Sequence, residues 1–226
     1  MFRLAINLFG VAVCFAGFLT AATEPKPAGV RALLLVPGGP VVKLHPLSGS
    51  VVGEAVQIGA RGLSDSFKPG SREFSLAIPD AKQESGYRTV ANVVLPAEGK
   101  DFIILLEPAN NTFKVHLVNG GEPRFGADSV LFFNATGIAL AATLGREKIL
   151  IKPRVAVFAK APARGVKNYY QVTFYEQDKG KVRPFANTRW PHRDKGRCYL
   201  FFYRSQTGRL IYQAVDEELM PVAASE

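Results

Sequence analysis

The sequence predicts an all-β protein, two tandem antiparallel β-sandwich domains of immunoglobulin-like type related by internal duplication. Three observations predict it. Short β-rich runs recur with Gly, Pro, Asn and Asp between them, the spacing of a sandwich or barrel. No segment combines apolar residues at helical spacing with a start and stop signature. The same succession of runs is met twice along the chain.

The first set comprises Arg31–Val36, Val41–His45, Glu73–Ile78, Thr89–Leu95, Phe102–Glu107 and Phe113–Val118. The second comprises Val130–Asn134, Ile138–Leu144, Lys148–Ile151, Val155–Phe158, Tyr169–Tyr175, Cys198–Arg204 and Leu210–Val215. Phe102-Ile103-Ile104-Leu105-Leu106 is apolar at every position, as is its counterpart Tyr199-Leu200-Phe201-Phe202-Tyr203. Both of their faces should therefore be covered. Asn110-Asn111 and Ser205-Gln206-Thr207-Gly208 supply the turns that follow them.

The two sets align in order. Leu33-Leu34-Leu35-Val36 sits over Leu131-Phe132-Phe133-Asn134 at an offset of 98. Lys68-Pro69, Phe74 and Pro79 sit over Lys152-Pro153, Phe158 and Pro162 at 83 to 84. Ala91-Asn92 and Pro96 sit over Ala186-Asn187 and Pro191 at 95, and the last hairpins follow at 96 to 97. The expected organisation is a signal peptide at 1–22, a linker at 23–29, a first sandwich at 30–121, a second at 122–218 and a tail at 219–226. The boundary falls in Asn119-Gly120-Gly121-Glu122-Pro123. The alternative is one larger sandwich to whose core both repeats contribute.

Arg3, the apolar run Leu4–Leu19 and the small residues Thr20-Ala21-Ala22 make an export signal, with cleavage expected after Ala22. The run is short for the roughly 20 residues of a spanning helix, so no transmembrane segment is expected after cleavage. Val13 stands where lipid attachment at Cys14 would want a small residue. The localisation implied is periplasm, cell envelope or exterior. Removal of Cys14 leaves Cys198 alone, excluding an intramolecular disulfide. Its apolar run marks it as a buried side chain rather than a reactive thiol.

Charge is divided unevenly. From Thr23 to Glu122 ten Lys/Arg balance ten Asp/Glu, whereas from Pro123 to Glu226 seventeen face nine, a net +8. The densest stretch is Ala186–Arg197, ANTRWPHRDKGR, which reads as a cationic loop joining two strands at one end of the second sandwich, where binding loops cluster. Arg183, just before it, and Arg189, Trp190, His192, Arg193, Lys195 and Arg197 within it are the candidate ligand-binding residues. Arginine forks suit carboxylate, sulfate or phosphate, and Trp190 can stack on a sugar ring. Trp190 also aligns with Leu95, an apolar anchor before Pro96, an alignment that favours a core position for it.

Catalytic and metal signatures are missing from the pattern. The histidines are His45, His116 and His192; the first two are separated by long stretches without another ligand at metal spacing, and there is no Cys-x-x-Cys, His-x-x-x-His or acidic calcium loop. There is no Gly-x-Ser-x-Gly elbow, and the glycine pairs lie in turns rather than before helices. No catalytic residue, metal or cofactor is expected. Asn110 and Asn134 match the glycosylation pattern, to which no function is assigned.

The function expected is an exported, non-enzymatic protein that binds an anionic glycan or lipid surface through the basic loop of its second domain. Export argues against nucleic acid as the partner. The alternative is an envelope assembly protein pairing with another polypeptide through a sheet edge. In layout alone, with no motif aligned, the chain resembles the periplasmic pilus chaperones, which would imply that alternative. A glycan-acting enzyme would need carboxylates converging between the domains, with Glu107 and Asp178 as nominal candidates.

Overall fold

The computed structural model of the chain describes residues 29–164, 166, 168–178 and 180–219. The signal peptide, linker and tail expected at 1–22, 23–29 and 219–226 lie outside these, save Gly29 and Leu219. Among the described residues there are sixteen strands in four sheets and no helix, hence none long and apolar enough to cross a membrane.

In chain order the first half holds β1 (Gly29–Leu34), β2 (Val42–Ser48), β3 (Val51–Val52), β4 (Val56–Ile58), β5 (Glu73–Pro79), β6 (Tyr87–Val94), β7 (Asp101–Ala109) and β8 (Thr112–Asn119). The second holds β9 (Ser129–Asn134), β10 (Leu140–Leu144), β11 (Glu147–Ile151), β12 (Ala156–Lys160), β13 (Tyr169–Asp178), β14 (Lys181–Pro191), β15 (Gly196–Arg204) and β16 (Leu210–Glu218). No sheet mixes strands from the two halves. The orders are β3-β2-β5-β6 with β4 on β2, then β1-β7-β8, then β12-β9-β15-β16, then β11-β10-β13-β14.

Alternation along β7 and β15 stacks these sheets. Phe102, Ile104 and Leu106 enter one core with Leu44, Phe74 and Leu76, while Ile103 and Leu105 enter another with Phe133, Tyr199 and Phe201. Cys198, Leu200 and Phe202 close a third with Phe174 and Trp190. The unbroken apolar runs thus belong to two inner sheets, each covered on both faces, and the two halves share the middle core. Each Leu, Ile or Phe so buried contributes about 1.5–3 kcal/mol.

Polar contacts lace the seam beside the middle core. Arg31 Nη1 lies 2.5 Å from Glu217 Oε1, and Arg31 Nη2 donates to the Tyr199 hydroxyl at 3.0 Å. Tyr199 donates in turn to Glu217 Oε2 at 2.5 Å, and Arg197 Nε donates to the same oxygen at 2.7 Å. Burial, then the bond to Glu217, pushes the Tyr199 hydroxyl up to about 12.

The pairing pattern occurs in both halves. β1 runs parallel to β7, which is antiparallel to β8; β9 runs parallel to β15, which is antiparallel to β16. The Ala-Asn frame has a specific geometry. Ladder register slips between Leu76 and Ala77 opposite β6, leaving Val90 as the extra residue before Ala91-Asn92. It slips again between Phe174 and Tyr175 opposite β14, leaving Phe185 as the extra residue before Ala186-Asn187. Both bulges keep an apolar side chain turned to the core while the strand bends.

Two details of the sequence alignment are corrected. Val30 pairs Phe102 and Val130 pairs Cys198, so the first strands correspond at an offset of 100 rather than 98, a slip of one pleat that keeps the same face inward. Phe74 and Phe158 share no frame: β5 is central in its outer sheet, β12 the edge of an inner one. β3, β4 and β14 were not among the expected strands.

Candidate functional site

The expected cationic loop is largely a strand. Ala186–Pro191 is the second half of β14, ten residue pairs long against β13, and only 192–195 turn the chain into β15. β14 is the outer edge of its sheet, and it carries Pro184, Pro191, the Phe185 bulge and three cations. Those are the features by which a β edge avoids pairing with other chains, and they hid the strand from its sequence pattern.

The seven candidate residues are dispersed by this arrangement. Trp190 points inward and is 8% exposed, its ring against Tyr170 and Phe174, so it is a core residue rather than a stacking platform. Arg193 Nη2 donates to Asp216 at 2.6 Å. Arg197 bonds Glu217 and the Phe125 carbonyl and lies over the Phe125 ring at 4.5 Å, so it fastens the seam. Arg183, Arg189 and Lys195 are exposed. Arg183 pairs in register with Glu176, and Arg189 lies over the Tyr169 ring at 5.4 Å.

His192 is buried against Asp128, a residue the sequence reading missed. Its Nδ1 is 3.0 Å from Asp128 Oδ2, while Arg193 N donates to Asp128 Oδ1 at 3.0 Å. The carboxylate can only accept, so Nδ1 carries the proton, leaving Nε2 as the acceptor of the neutral ring. Burial would raise the Asp128 carboxyl, but the bonds from Arg193 N and His192 outweigh it and hold the group below its ordinary range. Asp128 has φ 53, a left-handed conformation that Asp tolerates better than most residues. Gly126-Ala127-Asp128 was readable as a turn, but nothing local in it names a partner sixty-four residues away.

His192 lines a groove of about 790 Å³ at this end of the molecule, with Leu144, Arg146, Glu147, Pro162, Tyr169, Tyr170 and Gln171; Glu147 is the one carboxylate among its described lining residues. Gly145 holds its wall: φ is 58, its N donates to Gln171 O at 2.8 Å, and a Cβ there would stand 3.0 Å from Pro162 Cγ. Burial is the chief reason that the Tyr170 hydroxyl is raised above its usual range. The Arg146 guanidinium has no carboxylate partner among the described residues.

The groove opens beside the outer face of β11-β10-β13-β14. Ladder register gives this face Lys148, Leu150, Ala141, Thr143, Tyr169, Gln171, Thr173, Tyr175, Gln177, Val182, Pro184, Asn187, Arg189 and Pro191. Lys148 and Arg189 are its charges, and no carboxylate occupies any of these positions. Gln171 Nε2 donates to Asn187 Oδ1 and to Thr188 O, tying the polar rows together.

Glu107 lines a separate cavity of about 450 Å³ between the halves, where no second carboxylate appears among the described lining residues. It is bonded to His116 Nε2 at 2.7 Å. The Asp178 side chain lies outside the described part. Among the described residues no group of three His, Cys, Asp or Glu is placed to hold a metal ion. Cys198 is buried, and burial raises its thiol to about 12. No protein-family model matches the chain, and no curated protein matches its sequence.

Proposed function

We propose that this chain is an exported, non-enzymatic protein of two immunoglobulin-like sandwich domains, descended from a duplication, whose basic second domain docks on an anionic envelope or surface partner. The observation that carries the reading is the outer face of β11-β10-β13-β14, which bears Lys148 and Arg189 and no carboxylate amid Thr, Asn, Gln and Tyr. Donors and cations on one sheet face favour an anion that also accepts hydrogen bonds. Supporting the duplication are the matched bulges at Val90 and Phe185, ninety-five residues apart, and the recurring parallel pairing of first and penultimate strands.

The contact moves from the turn to the sheet, because Arg193, Arg197 and Trp190 are engaged in holding the fold. Pairing of a polypeptide to β14 is disfavoured by its prolines, bulge and cations. A salt elution from heparin tests the reading, comparing the wild type with K148S/R189S. Retention that falls with ionic strength, and elution of the variant at lower salt, are expected. Retention indifferent to salt would overturn the electrostatic contact.

A further inference from the structure

We propose that the groove at the end of β10, β13 and β14 seats an acidic sugar of a polyanionic glycan chain, an inference that rests on the anion-binding reading of the second half. An acidic sugar offers three chemistries: an apolar ring face, hydroxyls, and a carboxylate or sulfate. The groove meets each. Tyr170 lines it and Tyr169, 40% exposed, stands at its rim beneath Arg189, giving aromatic surface for the ring face. Arg146, exposed and without an acidic partner among the described residues, supplies a fork for the anion.

His192 supplies the hydroxyl acceptor. Its side chain is 2% exposed, and Asp128 fixes its tautomer so that Nε2 is the unprotonated nitrogen of the neutral ring. A hydroxyl entering the groove has there a preset acceptor, held rigidly by a carboxylate that is itself oriented by the Arg193 amide. Beyond the groove the chain of sugars continues onto the outer face, where Thr143, Thr173 and Asn187 lie in one register row ending at Lys148. Four strands make this track about 15 Å wide. A simple polyanion would use the cations and leave the tyrosines and histidine idle.

Trp190 provides the test, because it is the only tryptophan and its ring centre is 6.3 Å from that of Tyr170, directly behind the groove wall. The full chain is titrated with a heparin oligosaccharide while Trp190 emission is followed, beside Y169A and R146S. Both substitutions are at exposed positions, and the native Trp190 spectrum verifies their folding. Saturable change in the wild type, and at least tenfold weaker binding in each variant, is the expected result. If heparin retains all three proteins equally and Trp190 emission stays constant, the groove assignment fails while the anion-binding reading stands. If heparin retains none, both fail. Inorganic polyphosphate that changes Trp190 emission equally well, with Y169A unaffected, overturns the sugar assignment.

Discussion

Arg31, on the first strand, and Glu217, on the last, meet at 2.5 Å across the seam between the halves. The contact is one arm of a network in which Glu217 also accepts from Tyr199 and Arg197. E217Q keeps the shape but removes the charge on which three donors converge. It is expected to cost about 2–3 kcal/mol, read as a lower urea midpoint at unchanged slope. A midpoint equal to the wild type would mean that the network adds nothing to stability.

Acid should weaken the fold in two windows. Burial lowers the His116 imidazole below its ordinary range, against the opposing influence of Glu107. A depressed group favours folding above its unfolded pKa, so this contribution is lost as pH falls from about 6.5. Glu217 is lowered too, since burial is outweighed by the bonds from Arg197 and Tyr199 and the charge of Arg31. Its contribution is lost further down, as pH falls from about 4.3 through the folded value. Urea midpoints measured from pH 8 to pH 3 should fall in both windows. H116Q should flatten the upper one and E217Q the lower.

Asn134 is fully buried, and its side chain is satisfied on every side. Nδ2 donates to Ile138 O and Ile151 O, and Oδ1 accepts from the Thr136 amide and hydroxyl. The glycosylation pattern at this position is therefore a structural turn with no acceptor exposed. N134A leaves two carbonyls and two donors without their partner, a loss of about 2–4 kcal/mol, measurable by thermal or urea unfolding. Asn110, exposed at φ 55 in the β7–β8 turn, should tolerate replacement by Gly.

Cys198 should ignore thiol reagents until the second half opens. Its side chain lies in the core with Phe202 and Phe174, and the raised thiol supplies little thiolate at neutral pH. Reaction with a disulfide reagent is expected to be about a hundredfold or more slower in buffer than in denaturant. Comparable rates in the two conditions would show that this core is not closed.

The strands most legible in the sequence are those with the most burial. β7 and β15 announce double coverage by unbroken apolar runs, and the middle core supplies it. β14 was illegible because an edge strand earns its safety from charges and proline, the same residues that signal a loop. β3 and β4 have two and three residues, too few for a pattern. The Ala-Asn frame was visible as a repeat, yet its cause, a bulge opposite β5 and β13, exists only in the ladder. The candidate site was half legible: the cationic density was evident, but Arg146 and Tyr170 reach the groove from separate elements, and Asp128 holds His192 from a third, which local spacing does not reveal.

The link between the halves holds Arg124, whose side chain is 80% exposed, and directly after it Phe125, 2% exposed in the middle core. A trypsin cut between them would sever the chain without parting it. The new end would stay pinned by Phe125 beneath Arg197, and the two fragments should migrate as one particle until denaturant releases them.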